Sequence, residues 1–400
     1  MRLFHRLNVF MIGPAANYHI TVSNASNFTI RESNFRELID IIGDGVLTTD
    51  GGYHRRARAM VMPAFHSESI ASYYGILVEE TERALAGLAP GQRVDIHPWA
   101  RNLVQRTVMR ALFGLDPEGE RVRSSGMAAI FAEVHALSPL TNIVRLPFTP
   151  WARMMEALRT VDRAIYAEIA ERRERGGGGS DILSLLVDAR DEDGGSLTDL
   201  EVRDQAMTLM LSAFETTASS LTFLVHELAR RPDVAARIAV EIQGSLEGGR
   251  LSVAQLMNGE LAELEMAIDE TLRMYPAVWI GPRRATEAFE LEGVAVPAGA
   301  YVNYSPLVSH HLPEIFPEPE RFTPERFAPQ AKAALPKGAY VPFGLGPRKC
   351  IGMRFAELFV RTAATLLLES FELGLPADFS LVVGTLPMLM PKGGVPVILS

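Results

Sequence analysis

The chain of 400 residues has a single cysteine, Cys350, so no disulfide can form within it. That scarcity fits a reducing compartment, and a cytoplasmic location is expected. Basic residues are outnumbered by acidic ones, 39 to 48, giving a formal net charge of −9. Nucleic-acid binding needs a concentrated basic surface, so nucleic acid is not an expected partner. A secretory leader is not visible: the first twelve residues carry Arg2, His5 and Arg6 among their apolar members and no small-residue cleavage site. Residues 9–12 are too short an apolar run to cross a bilayer. The one stretch of near-spanning length, 206–225, contains Glu215 and a dense set of Ser and Thr, which lipid would penalise. It reads as a helix buried inside protein. No repeat of solenoid or propeller period stands out.

What is present is a large stock of apolar residues, 48% of the chain, enough for a sizeable core. Length alone would allow two or three domains. Apolar positions recur every three or four residues over 67–88, 99–113, 151–175 and 198–230, which predicts helices. Thr198 and Glu201 form a capping-box pattern that starts the last of these, and Pro232 marks its end. Extended, partly alternating segments occupy 8–24 and 290–304, the second arranged around Gly293, Pro297 and Gly299 as in a hairpin. The Gly-rich run 176–180 separates two helical patterns of the same composition and reads as a loop within one domain. The acidic run 191–195 reads as a solvated turn.

The segment 343–352, Phe-Gly-Leu-Gly-Pro-Arg-Lys-Cys-Ile-Gly, carries the chemistry. It follows a strand-like 339–341 and precedes a helical pattern over 353–369. A cysteine that ligates iron must be a rigidly held thiolate. Gly344 and Gly346 suit a tight turn around the sulfur. Phe343 can shield it from water, and the following helix directs its positive end towards it. Gly352 lets that helix lie close to a flat ligand, and Arg348 can pair with a carboxylate. The same segment resembles the haem-binding loop of the cytochrome P450 family, Phe-x-x-Gly-x-Arg-x-Cys-x-Gly, with Phe343, Gly346, Arg348, Cys350 and Gly352 at its fixed positions.

Further motifs follow in the family's order, from about Val9 to the C-terminus. Glu270 and Arg273 stand three apart on one helix face and resemble the family's Glu-x-x-Arg pair; Arg326, in the Pro-rich 316–327, would be its third member, in a structural role. Ser212-Ala-Phe-Glu-Thr-Thr217 is similar to the oxygen-side motif. By that resemblance Thr216 orients dioxygen and its water and Glu215 relays protons. Ala213 stands where glycine is usual, which narrows the space beside the haem. Phe214 faces either the substrate pocket or the neighbouring core. His54 and Arg58, one helical turn apart, resemble the propionate-binding helix. Arg283 is a further candidate for a propionate, with Arg284 the adjacent alternative, since alternation turns only one of them inward. His226 and the His310-His311 pair show no metal-ligand spacing and read as structural or exposed.

The resemblance implies a mainly α fold with small β-sheets, a single cytochrome P450 domain over 1–400. It also implies haem b held by Cys350, and insertion of one atom of O2 into a lipophilic substrate such as a fatty acid, terpenoid or steroid. The pocket candidates, placed relative to the motifs, are Phe214, Thr217, Val278, Trp279, Ile280, Leu386 and Met388. The usual first strand and helix of the family look absent. No flavin segment is present, and one cysteine cannot hold an iron–sulfur cluster, so electrons are expected from a separate ferredoxin and ferredoxin reductase. Arg55, Arg56, Lys349 and Arg354 are candidates for the docking face. The protein is expected to be a monomer. Two other readings remain open, a non-catalytic haem sensor and a peroxygenase or isomerase on the same fold.

Overall fold

The structure is a computed structural model that describes residues 2–3, 6–120, 122, 146 and 148–400. They fall into two compact units, one of Met1–Arg36, Leu85–Trp99 and Thr216–Ser400, the other of Glu37–Ala84 and Ala100–Glu215. The chain passes from the second to the first within one uninterrupted helix, Asp199–Arg230. The capping box is made as its sequence predicts: the Glu201 N–H donates to Thr198 Oγ1 at 3.2 Å, and the Thr198 N–H donates to Glu201 Oε2 at 2.8 Å. Pro232 opens the next helix, Pro232–Ser245, at its first turn. By length and composition the long helix could span a bilayer, but most of its apolar window is buried inside the protein.

In the first unit a five-stranded sheet runs Arg2–Leu3, Arg6–Met11, Tyr301–Tyr304, Gly281–Ala285 and Phe28–Thr29 in spatial order. Only Arg6–Met11 and Tyr301–Tyr304 pair in parallel. Met11, Ile20, Phe28, Val302 and Tyr304 form a core against it. The hairpin within 290–304 is Phe289–Leu291 with Val294–Val296, turning at Gly293 with φ +79°. The remainder of that segment joins the five-stranded sheet instead.

Three expectations need correction. The extended reading of 8–24 holds only to Met11. From Pro14 the chain is helical, Pro14–Tyr18 and then a π-helical turn His19–Ser23. Pro14 sits at the first helical position, where a missing N–H is harmless. The strand-like 339–341 belongs to no sheet. Its Val341 N–H is taken by a side chain, Nε2 of His310, at 2.9 Å. The helix read over 67–88 divides into Ser67–Ser72 and Tyr74–Leu85, because the Tyr73 N–H tightens to the Ile70 carbonyl.

Candidate active site

The cysteine loop is closed by three backbone hydrogen bonds. The Gly344 N–H donates to Val341 O, the Lys349 N–H to Gly346 O across a 3-10 turn (Gly346–Arg348), and the Cys350 N–H to Phe343 O, at 3.0, 3.0 and 2.9 Å. Helix Met353–Ser370 follows, with Gly352 at its N-cap. Cys350 is exposed, Phe343 and Arg348 are half-buried. Gly346 has φ +64°, and a Cβ there would lie 2.0 Å from the carbonyl oxygen of Thr21. The turn therefore rests on the backbone of the π-helical turn, a closeness only glycine allows. Asn17 fixes that support by donating from Nδ2 to Gly338 O at 2.9 Å, just ahead of the loop.

A second wall comes from the five-stranded sheet. Gly281 faces Tyr304 in register, and its missing side chain lets the Tyr304 ring lie across it. The Arg283 guanidinium sits 5.4 Å from the centre of that ring, and the ring's hydroxyl approaches Gly344. Arg283 is 7% exposed. Its one hydrogen bond goes to the carbonyl of its own neighbour Pro282, and among the described residues no carboxylate pairs with it. A buried cation in that state calls for an anion. Arg284 is more exposed and pairs with Glu32, so of the two arginines Arg283 is the inward one. Tyr304, which holds Arg283, carried no signal in the sequence, because strand register was needed to see it opposite Gly281.

Behind the loop, Arg273 is wholly buried and grips Glu270 with two parallel hydrogen bonds of 2.7 and 3.0 Å. Its remaining donors go to the carbonyls of His310 and Pro319. Glu270 also accepts from the Thr323 N–H at 2.9 Å and lies 3.4 Å from Arg326 Nε. The Glu270, Arg273 and Arg326 side chains thus converge, and four hydrogen bonds hold the Arg273 guanidinium.

The second unit holds the other candidates. His54 is buried and Arg58 half-buried one turn apart on helix Gly51–Val61. Arg56 on the same helix does not offer a docking charge. Its guanidinium donates to Asp191 at 2.7 Å, to Glu201 at 2.9 Å and to the Ser196 carbonyl. The solvated turn expected at 191–195 is present, with Glu192 and Asp193 exposed, and its first residue, Asp191, is in addition a structural anion. Arg55 and Arg354 are exposed and Lys349 half-buried.

On the long helix, Glu215 is 6% exposed and lies 3.2 Å from Arg101 Nε, the pairing that its place in a helix interior demands. Arg101 also lies over the Phe214 ring at 5.0 Å, and Phe214 is buried. Ala213 and Thr216 are half-buried and Thr217 buried. In the first unit the remaining pocket candidates come together: Trp279 Nε1–H donates to the Thr385 carbonyl, and the Leu389 N–H to Ala277 O at 2.9 Å. These two bonds bring the strip with Val278, Trp279 and Ile280 alongside the strip with Leu386 and Met388. Val278 is 43% and Leu386 58% exposed, an apolar surface of the kind that meets a lipophilic molecule.

The residues present fit a haem. A lone exposed thiol on a closed turn, glycines that clear space, and a buried arginine lacking a carboxylate are the donor set that such an iron-bearing dicarboxylate needs.

Comparison with known proteins agrees. Residues 1–387 match the family described as Cytochrome P450. The chain is 36% identical over 324 residues to cyclooctat-9-en-7-ol 5-monooxygenase of Streptomyces melanosporofaciens, covering 80% of this chain and 70% of that protein. It is 32% identical over 334 residues to pentalenene oxygenase of Streptomyces avermitilis, covering 83% and 73% respectively. Among solved structures, a retinoic acid bound cyanobacterial CYP120A1 superposes with a TM-score of 0.90 at 25% identity, over 100% of this chain and 90% of that one.

Proposed function

The chain belongs to the cytochrome P450 family and is a haem b monooxygenase of that family, and from that premise we propose that it oxygenates a lipophilic, terpenoid-type substrate in the cytoplasm with electrons from a separate ferredoxin and ferredoxin reductase. The observation that carries this reading is the cysteine loop, with Cys350 exposed at its tip and Arg283 buried without a carboxylate in the same unit. Cys350 would hold the iron. Arg283 and Arg348, both in that unit, would hold propionate. Haem, when bound, supplies the reductive activation of dioxygen and the transfer of one oxygen atom to carbon.

The protein's own residues do the rest. The Thr216 hydroxyl orients a water and donates a proton from Oγ1, and Glu215, one residue earlier and paired with Arg101, takes up a proton from solvent water and passes it on to replace the one given. An acid and an alcohol side by side in mid-helix favour a reaction that consumes protons. A peroxide-driven or isomerising enzyme has no need of them. The strips around Trp279 and Leu386 exclude water and receive an apolar molecule. Relatives named for cyclooctat-9-en-7-ol and pentalenene support a terpenoid within the lipophilic set.

The experiment is a screen of terpenoids, fatty acids and steroids against haem-loaded protein for a substrate-induced spin change, followed by turnover with a ferredoxin chain or with peroxide alone. Spin change and reductant-dependent product from a terpenoid are expected. No spin change with any compound and no reductant consumption would point to a sensor. The Cys350→Ala variant should lose the thiolate-type spectrum of the reduced, carbon-monoxide-bound protein, and its survival would overturn the ligand assignment.

A further inference from the structure

His310 was read from sequence as a structural or exposed histidine, and the structure gives it a more specific place. It is completely buried, in the first unit, between the helix that carries Glu270 and Arg273 and the chain that leads into the cysteine loop. Its two ring nitrogens face different partners. Nδ1 lies 3.2 Å from the backbone carbonyl of Arg273, and Nε2 lies 2.9 Å from the N–H of Val341. A carbonyl can only accept and an amide N–H can only donate. The two contacts together therefore fix one tautomer, protonated on Nδ1 and bare on Nε2. Burial lowers the ring's proton affinity to a pKa of about 3, in keeping with a neutral imidazole. The His310 carbonyl in turn accepts from Arg273 Nη1 at 3.0 Å, so residues 273 and 310 clasp each other twice.

Neighbouring rings leave the imidazole little freedom. Tyr340, whose hydroxyl donates to Asp269 on the same helix at 2.9 Å, packs 5.4 Å from it, and Phe316 stands edge-on at 6.3 Å. Val341 itself accepts from Gly344, the first closing bond of the loop. A continuous line thus runs from Glu270 through Arg273, His310 and Val341 to Gly344, and both ring nitrogens of His310 point at backbone of separate elements.

We propose that His310 is a positioning residue for the cysteine ligand, transmitting the fixed geometry of the buried Glu270–Arg273 pair to the loop through the Val341 N–H. It supplies the acceptor that a neighbouring strand would supply if 339–341 were part of a sheet. A side chain can be held at a chosen distance by its own packing, which sets how far forward the loop, and with it the sulfur, is presented. The inference deepens the reading of Cys350 as the iron ligand, but its first readout needs no haem.

Two substitutions separate the ring's two nitrogens. His310→Gln places an amide oxygen near Nε2 and can still accept from Val341. His310→Asn places its amide near Nδ1, keeps the contact with Arg273 and leaves Val341 N–H without its acceptor. Because Cys350 is the sole cysteine, the rate at which haem-free protein reacts with a thiol reagent reports this loop alone. The Asn variant should react about tenfold faster than the parent, the change in open-loop population that one lost buried hydrogen bond allows, while the Gln variant stays near the parent. Haem-loaded Asn variant should also shift its reduced, carbon-monoxide-bound spectrum from the thiolate towards the thiol form. A packing role would move both variants alike, in step with their melting temperatures, and that result overturns the proposal. Should Asn alone fail to yield folded protein, the contrast with Gln gives the same support. In the unmodified protein the Val341 amide should exchange its hydrogen as slowly as amides of the buried helices, and fast exchange would refute the idea without any variant. If thiol reactivity follows the expected pattern while no variant, nor the parent, binds haem through sulfur, it is the ligand assignment that fails and not the positioning role.

Discussion

Gly344 and Gly346 offer a controlled comparison within one loop. Their backbones are nearly the same, φ +66° and +64°, so alanine at either meets the same left-handed penalty of about 1–2 kcal/mol. Their surroundings differ. A Cβ at 344 would have the Tyr304 hydroxyl at 3.6 Å, an ordinary contact. A Cβ at 346 would stand 2.0 Å from the Thr21 carbonyl oxygen and 3.0 Å from its carbon, and both are main-chain atoms. Thr21 cannot step aside cheaply: its hydroxyl is bonded to Asn17 O at 2.5 Å, and Asn17 is tied to Gly338. Restoring a normal carbon–oxygen separation of about 3.3 Å needs a shift of roughly 1.3 Å, which for a packed site adds about 1–3 kcal/mol. Gly346→Ala should therefore cost about 2–5 kcal/mol and Gly344→Ala about 1–2 kcal/mol. Denaturant unfolding of the haem-free protein measures both from their midpoints at constant slope. Equal losses, or a greater loss at 344, would show that the loop does not rest on Thr21 as described.

Thr216→Ala should retain haem yet divert electrons from product to peroxide, measured as product formed per reductant consumed; an unchanged ratio would remove Thr216 from proton delivery. Glu270→Gln should destabilise the fold by about 3–5 kcal/mol, since it leaves Arg273 charged and wholly buried, and a loss below 1 kcal/mol in unfolding experiments would contradict the pairing seen here. His310 gives a pH signature. Its folded pKa, pushed down to about 3 by burial, lies below the ordinary value of 6.5, so the unfolded chain takes up a proton first as pH falls. The native state then loses up to about 1.4 kcal/mol per pH unit between those limits. Unfolding curves of His310→Gln should lack this component of the slope between pH 6 and pH 4 (both approximate choices within that window); identical slopes would refute it.

How far the sequence could be read depended on where the partner of each group lay. The helix Asp199–Arg230 was legible because its cap, Thr198 with Glu201, is local and its apolar pattern is long. Strand alternation left Arg283 and Arg284 as alternatives, and burial separates them. Glu270 and Arg273 are three apart on a helix, a spacing equally common on surfaces. Only the resemblance to a family gave them a buried role. The helical segment from Pro14 escaped because it has little apolar periodicity, and its start depends on Gly13 at φ +98° followed by proline. Arg56 and Asp191 are 135 positions apart, and singly each looks like a solvated charge. Residues 339–341 are strand-like in composition, but composition cannot say whether the bonding partner will be another strand or an imidazole.

The Thr21 carbonyl beneath Gly346 makes the beginning of the chain an accessory to its single thiol. A protease nick at the π-helical turn would leave every later helix intact while removing the floor under the sulfur. Such clipped protein would stay folded by circular dichroism and yet fade in the visible, and preparations that lose their red colour on storage should first be checked for a ragged amino terminus.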